Sequence, residues 1–326
     1  MKKIDYDVFD TALREVAHDI TEDEVSSIYL RYEDLRNLLV YYLEKMHKMN
    51  KVKVVSVPFT ILYLCDEEKA VYPYLRDENG DKVIYCVSPL HGRSFVVCKN
   101  NDGRYIVSKG NGLSYTQYQF LHTREFFDGT WGLLLRQDAE RDFILGQEIK
   151  ALGIKTNNME YVLELEKNIL LPNGHTVKPV LLQYNVECPY RISDVPIMKP
   201  EQIQAEVAKW EKMNDRGYEH SYMIAANVLV RNLRILHDNG VLHNALNEQN
   251  YTWALELVDF ELACSPKHPY TEEDDRRHVK DLFPREIIQT YVIINYIAGA
   301  LGEDIDFTFV DSLFAEYGFD LKQYVV

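Results

Sequence analysis

The hydrophobic pattern of this chain changes from strand-like to helix-like along its length, and this change constrains the fold more than any other feature. Between Val52 and Lys109 the apolar residues form short β-branched and aromatic runs, VKVVSVPFTILYLC, KVIYCV, SFVVCK and RYIVSK. The segments DENGDK (Asp77–Lys82) and NNDG (Asn100–Gly103) divide the region and are rich in residues that favour tight turns. This region therefore predicts an antiparallel sheet.

Helical patterns dominate the later part of the chain. The segment LLLRQDAERDFILGQEIKALGI predicts a helix that ends at Gly153, where glycine can adopt a left-handed cap conformation. The strand-like runs YVLELE and VLLQYNVE then bracket the turn LPNGH. A helix begins at Pro200, another spans Glu219–Asp238, and the chain beyond Lys280 is mainly helical. The predicted class is α+β, with two lobes and a cleft between them.

The N-terminal region adds a further helix to this plan. From about Glu22 to Asn50 the apolar residues recur at steps of three and four, which predicts one long amphipathic helix. The predicted organisation has three parts: an N-terminal helical extension over residues 1–50, a sheet-rich N-lobe with one long helix over 51–187, and a helical C-lobe over 188–326.

The amino-acid composition limits which binding partners and which cellular compartment we expect for this protein. The chain carries 36 Lys and Arg against 51 Asp and Glu, a net charge of −15, so its field repels nucleic acids. The apolar stretch Tyr291–Leu301 is far shorter than the ~20 residues that span a bilayer. The five cysteines have no disulfide or zinc spacing. We therefore expect a cytoplasmic protein that binds neither nucleic acid nor membrane.

The segment Gly240–Ala263, GVLHNALNEQNYTWALELVDFELA, carries the most informative chemistry. In kinase-like folds a loop asparagine and an aspartate after the next strand hold Mg²⁺ against nucleotide phosphates, because this ion prefers oxygen ligands. Asn250 and Asp259 are nine residues apart, which leaves room for one tight β-hairpin. Such a hairpin would bring the two side chains to the same side of a cleft.

A candidate for phosphate binding lies upstream. Lys109 ends a predicted strand, and Asp142 lies on the following helix, with Glu140 and Glu148 as alternatives. In kinase-like folds a strand lysine that is fixed by a helix carboxylate holds the nucleotide phosphates. A lysine, a helix acid, a loop asparagine and an aspartate therefore follow one another in the order that this chemistry requires.

The motifs together resemble the selenoprotein O family, kinase-like pseudokinases that transfer AMP to protein hydroxyls. The similar segments are KGNGLSYT (Lys109–Thr116), LLRQDAERDFILGQEIKALGIKT (Leu134–Thr156), PYRISD (Pro189–Asp194), and GVLHNALNEQN with VDFE. The resemblance spans about 102–263. It implies a protein kinase-like two-lobed fold, with a sheet-rich N-lobe and a helical C-lobe.

The resemblance also implies roles for single residues in nucleotide binding. Lys109, followed by Gly110, matches the phosphate-binding lysine, and Asp142 stands where the family has a helix glutamate. Arg191 matches the second of two arginines that contact the nucleotide, and Tyr184 occupies the place of the first. Asn250 and Asp259 match the two metal ligands, so that the implied cofactors are ATP and Mg²⁺ or Mn²⁺.

The catalytic base departs from the family pattern. Gln249 replaces the aspartate that precedes the metal-binding asparagine, and Ala245 falls where ordinary kinases have their catalytic aspartate. An amide or a methyl group cannot accept the proton of an attacking hydroxyl. Glu248 or Glu261 is a candidate for this role, or positioning and electrostatics suffice for the transfer.

Three functions remain open at this stage. The favoured function is an ATP- and Mg²⁺-dependent transferase that moves AMP onto a hydroxyl of a protein substrate. The first alternative is a kinase-like phosphotransferase acting on a small molecule or a protein, because HNALNEQN also echoes the H-x-D-x-x-x-x-N loop of kinases. The second is a catalytically dead nucleotide-binding or scaffold pseudokinase, favoured by Ala245 and Gln249.

Overall fold

The computed structural model confirms that the chain mixes strands and helices. It describes residues 52–54, 75–77, 82–83, 94–100, 102–110, 134–165, 168–170, 176–178, 180–269 and 279–324. The predicted helix between Glu22 and Asn50 lies outside these residues. Within them, no helix combines the length and the apolar character that crossing a membrane requires.

The described strands form two sheets. The strands are β1 (Val52–Val54), β2 (Leu75–Asp77), β3 (Lys82–Val83), β4 (Ser94–Lys99), β5 (Tyr105–Lys109), β6 (Asn158–Leu165), β7 (Ile169–Leu170), β8 (Thr176–Val177) and β9 (Val180–Val186). The larger sheet has the order β1-β6-β9-β5-β4, and the smaller has the order β3-β2-β7-β8. The β4–β5 pair is antiparallel, as the sequence predicts, and β5 also pairs antiparallel with β9.

The turn between β4 and β5 follows from its residue types. The side-chain oxygen of Asn100 accepts hydrogen bonds from the backbone N–H groups of Asp102 and Arg104, at 3.1 and 2.9 Å. Gly103 has φ +77° and donates its N–H to the carbonyl of Asn100. An asparagine that bonds to the backbone ahead of it and a glycine with positive φ together make a tight turn. The predicted hairpin is confirmed.

Gly110 has to be a glycine for steric reasons. It follows β5 with φ +98°, and a Cβ built on it would lie 2.7 Å from Cβ of Leu134 and 2.8 Å from the carbonyl oxygen of Val180. Neither neighbour is the far end of a flexible side chain, so the backbone has to shift. We expect Gly110→Ala to lower the free energy of unfolding by about 2–4 kcal/mol, measured by denaturant titration.

Gly103→Ala is the matched control for this prediction. Gly103 also has positive φ, but no atom lies within 4 Å of the Cβ that alanine would add. This variant should therefore cost only the left-handed backbone penalty of about 1–2 kcal/mol. Equal losses for the two variants would contradict the steric explanation for Gly110.

The helices are close to those predicted. They are α1 (Arg136–Ala151), α2 (Pro200–Glu211), α3 (Ser221–Asp238), α4 (Val279–Leu301) and α5 (Phe307–Glu316). The expected left-handed glycine after α1 is present, since Gly153 has φ +87°. Pro200 is the first helical residue of α2, where its missing N–H leaves no intrahelical bond unmade. Local signals therefore set most of these helix ends.

The chain divides into two compact units. The first contains the described residues up to Glu140 together with Met159–Val186, and therefore holds nearly all of the strands. The second contains Arg141–Asn158 and Glu187–Val326. The sequence pattern placed the long helix, α1, in the sheet-rich N-lobe. In the structure, the part of α1 from Arg141 onward belongs to the second unit, together with α2 to α5.

The core of the second unit is built around α3. Half of this helix is buried, including Leu229, Leu233 and Leu236, which recur at helical spacing. Helix α3 packs on α4. This packing fixes the end of α3, after which the polar loop of the candidate site begins.

Candidate functional site

The polar loop after α3 starts from a glycine cap. Gly240 has φ +66° and donates its N–H to the carbonyl of His237, while the N–H of Val241 bonds to the carbonyl of Leu236. Backbone hydrogen bonds in both directions then pair Leu242 with Cys264. The loop is therefore anchored at its start both to α3 and to the segment that follows Asp259.

His243 links this loop to the strand-like residues before Asp259. Its Nε2 lies 2.9 Å from the carbonyl oxygen of Val258, and its ring makes an edge contact with Phe260 at 5.4 Å between ring centres. Burial lowers the pKa of His243, so the ring is neutral at pH 7 and carries its proton on Nε2. The histidine thus acts as a packed, hydrogen-bonded support.

The predicted hairpin between the two proposed metal ligands is present. The N–H of Thr252 bonds to the carbonyl of Glu256 at 3.0 Å, and the N–H of Val258 bonds to the carbonyl of Asn250 at 3.0 Å. Leu255 completes the turn with φ +56°. Asn250 and Asp259 therefore lie at the two ends of one tight hairpin, as their spacing of nine residues predicts.

Asn250 is oriented by its own loop. Its Nδ2 donates a 2.8 Å hydrogen bond to the carbonyl of Ala245, and the residue is buried. Since the nitrogen of the amide is used in this contact, the oxygen is the atom presented on the other side. An amide oxygen held in this way is suited to bind a hard cation.

Three carboxylates come together beside the hairpin. One oxygen each from Asp142, Asp259 and Glu261 lies within 4.8 Å of the other two. Asp142 is only 1% exposed, and its Oδ1 accepts a 2.9 Å hydrogen bond from the backbone N–H of Phe260, across 118 residues of sequence. We call these three residues the carboxylate cluster. Carboxylates at this separation repel one another unless a proton or a cation reduces their charge.

The backbone of Asp259 is strained in a way that is common at functional sites. Its φ is +71°, in the left-handed region that few residues other than glycine, asparagine and aspartate adopt. The hydrogen bond from Phe260 to Asp142 holds the next residue in place. This conformation determines the direction in which the carboxylate of Asp259 leaves the chain.

The cluster adds two carboxylates to the expected metal site. By resemblance Asn250 and Asp259 would ligate the metal, and Asp142 would orient Lys109. The structure places Asp142 and Glu261 beside Asp259, and the sequence suggested Glu261 only as a candidate base.

Arg191 lies against the polar loop. Its Nη1 donates a 3.1 Å hydrogen bond to the carbonyl of Gln249, and its backbone N–H bonds to Asp194 at 2.5 Å. The residue also forms an isolated β-bridge with Thr252. Its guanidinium group therefore lies next to the residue that precedes Asn250.

Glu248 has a different environment from the carboxylate cluster. Its backbone carbonyl accepts a 3.1 Å hydrogen bond from Ser193. Burial raises the pKa of Tyr296, and the carboxylates of Glu248 and Asp194 raise that pKa further, which places both acids near this tyrosine. Glu248 is half-buried and is not one of the three clustered carboxylates.

The remaining predicted residues belong to the first unit. Lys109 is 4% exposed at the end of β5 and pairs with Leu182 of β9, while Val107 pairs with Tyr184. Since paired residues point to the same face and side chains alternate along a strand, Lys109 and Tyr184 lie diagonally on one face. The sheet thus places these two side chains together, and Gly110 directly follows the same strand.

Glu286 is a residue that the sequence did not single out. It is 1% exposed on α4, and its Oε1 accepts a 2.7 Å hydrogen bond from the backbone N–H of Asn244. Its Oε2 lies 3.0 Å from Nε2 of His237. Asn244 has φ +62°, so the buried carboxylate holds the loop at a strained position. The available signal was an acid within the apolar run of α4, since such residues are rarely buried without partners.

Comparisons with known proteins do not place this site in a family. No family model matches the chain, and no curated protein matches it in sequence.

Proposed function

We propose that the protein is an ATP- and Mg²⁺-dependent transferase of the selenoprotein O-like type, which moves AMP onto a hydroxyl of a protein substrate. The observation that carries this proposal is the carboxylate cluster at the end of the Asn250–Asp259 hairpin. The proposal includes a two-lobed kinase-like fold, with a sheet-rich N-lobe and a helical C-lobe. It is supported by the mixed strand and helix content and by the order of the motifs.

The donor set fits a divalent cation. Asp259 and Asn250 would hold Mg²⁺ or Mn²⁺, with Asp142 and Glu261 close to the ligating carboxylate. All of these groups offer oxygen atoms, which are the ligands that hard cations prefer. When bound, the cation supplies positive charge that balances the phosphates and the clustered carboxylates.

The remaining side chains would bind the nucleotide. Lys109 would contact the phosphates, Arg191 would balance their negative charge, and Tyr184 would lie beside them. This assignment is supported by the shared face of Lys109 and Tyr184 on the sheet and by the contact of Arg191 with the Asn250 loop. A fixed guanidinium and a fixed ammonium position phosphate without further reorganisation.

The transfer itself needs one bond to form and one to break. The oxygen of the acceptor hydroxyl bonds to the α-phosphorus, the bond from that phosphorus to the bridging oxygen breaks, and pyrophosphate leaves. The hydroxyl proton passes to a carboxylate. The geometry favours Glu261 over Glu248 for this step, because Glu261 belongs to the cluster with Asp259 and Glu248 does not.

Labelled ATP tests this function directly. The protein is incubated with Mg²⁺ or Mn²⁺, a mixture of protein substrates, and ATP labelled either at the α- or at the γ-phosphate. We expect label in protein from α-labelled ATP only, and loss of that label when EDTA removes the cation. Label from γ-labelled ATP instead would identify a phosphotransferase.

A nucleotide-binding protein without catalysis is the second candidate. It is favoured by Ala245, which offers only its carbonyl to Asn250, and by Gln249, an exposed amide that cannot act as a base. This candidate predicts label from neither ATP, together with a higher melting temperature in the presence of Mn²⁺ and ATP.

A further inference from the structure

Helix α1 holds the segment that follows the hairpin at several points. Asp142 accepts the hydrogen bond from the N–H of Phe260, and Oε2 of Glu148 accepts a 3.1 Å hydrogen bond from the hydroxyl of Ser265. Arg141 contacts the same segment farther along. We call residues Phe260–Pro269 the strap. It begins directly after Asp259 and contains Glu261, so its attachment determines the position of two of the three clustered carboxylates.

Arg141 makes the most extensive of these contacts. Its Nε donates to the carbonyl of Ala263 at 3.0 Å, and its Nη2 donates to the carbonyls of Pro269 and His268 at 3.0 and 3.4 Å. Reciprocal backbone hydrogen bonds between Ser265 and His268, each 3.1 Å, close a turn between these points. One guanidinium group therefore joins both ends of a compact loop to α1.

The chemistry of the guanidinium explains why an arginine suits this position. Its donors have fixed directions and remain charged, so that it can bond to carbonyls on two sides at once. Lysine carries a single ammonium group and cannot reach both ends of the loop in the same geometry. The contact with Ala263 lies only two residues beyond Glu261.

We infer that Arg141 is the positioning residue that holds Asp259 and Glu261 against Asp142 before any ligand arrives. The role of the cluster as a cation site rests on the proposed function, whereas the attachment of the strap does not. When the strap detaches, the binding-competent fraction of the protein falls, and the apparent affinity for a cation falls by the same factor.

The test compares Arg141→Ala and Arg141→Lys with the wild-type protein and with Arg136→Ala. Arg136 lies on the same helix and forms an exposed ion pair with Glu140, which is not part of the strap, so we expect its loss to leave the strap unchanged. Hydrogen exchange of the Phe260 amide reports on the contact with Asp142. Tryptic cleavage after Lys267, an exposed residue in the strap, reports on its detachment. Titration with Mn²⁺ reports on the cluster.

We expect Arg141→Ala to speed exchange of the Phe260 amide about a hundredfold, because at least two charge-assisted hydrogen bonds are lost. Cleavage after Lys267 should accelerate similarly, and the dissociation constant for Mn²⁺ should rise about tenfold or more. Arg141→Lys should show intermediate changes, and Arg136→Ala should show none. Circular dichroism verifies that each variant is folded.

Three results separate this inference from the proposed function. Wild-type exchange and cleavage rates in folded Arg141→Ala would overturn the inference. Fast exchange and cleavage with an unchanged Mn²⁺ dissociation constant would also overturn it, since the strap would not position the cluster. If the wild-type protein binds no Mn²⁺, the proposed cation site fails, while the Phe260 amide still decides whether Arg141 positions this segment.

Discussion

Replacing Asp259 by asparagine is expected to abolish divalent-dependent nucleotide binding. The substitution removes the negative charge at the end of the hairpin, while asparagine tolerates the left-handed backbone of φ +71° at least as well as aspartate does. A neutral amide is a much weaker ligand for Mg²⁺ or Mn²⁺ than a carboxylate. We expect the affinity for Mn²⁺ and a non-hydrolysable ATP analogue, measured by calorimetric titration, to fall more than about a hundredfold, the effect of losing roughly 3 kcal/mol.

Asp304→Asn provides the control for this experiment. Asp304 is exposed in the same unit and is not part of the carboxylate cluster, so the same chemical change there should leave nucleotide binding unchanged. Thermal unfolding of both variants shows whether the fold is retained. Wild-type affinity in Asp259→Asn would rule out the cluster as the cation site.

Replacing Glu286 by alanine should lower the free energy of unfolding more than the glycine substitutions do. This carboxylate is buried between the N–H of Asn244 and the ring of His237. Its removal breaks the hydrogen bonds that both groups make to it. Breaking a buried pair of this kind costs about 3–5 kcal/mol. Glu286→Gln keeps an oxygen for Asn244 and should cost less, about 1–2 kcal/mol. Urea-induced unfolding measures both losses.

Glu316→Ala tests whether burial accounts for this effect. Glu316 forms an exposed ion pair with Arg216, and such pairs contribute at most about 1 kcal/mol. A loss for Glu286→Ala no larger than that for Glu316→Ala would mean that Glu286 does not support the loop.

Local patterns were sufficient to predict most of the elements. The end of α1 at a left-handed glycine, the turn at Asn100 and the start of α2 at Pro200 all depend on residues within a few positions of each other. The hairpin between Asn250 and Asp259 was also a local expectation, because a separation of nine residues leaves room for one tight β-hairpin. These features need no knowledge of distant parts of the chain.

Local sequence patterns could not predict which residues come together at the site. The bond that joins Asp142 to the amide of Phe260 connects positions 118 apart, and that from Glu286 to Asn244 connects positions 42 apart. Neither pairing follows from periodicity, since both depend on how helices pack. Sequence order and the family resemblance pointed to Asp142, but only packing brings Asp142 and Glu261 beside Asp259.

The short hairpin between Asn250 and Asp259 has a consequence for homologues of this protein. Its backbone hydrogen bonds fix the register of the hairpin, so inserting or deleting one residue would turn the side chain of the final aspartate towards the opposite face. All eight residues between the two ends are buried, so their packing is constrained as well as their number. Distant homologues should therefore be recognisable by a constant interval between an asparagine and an aspartate, with a buried stretch of unchanged length between them.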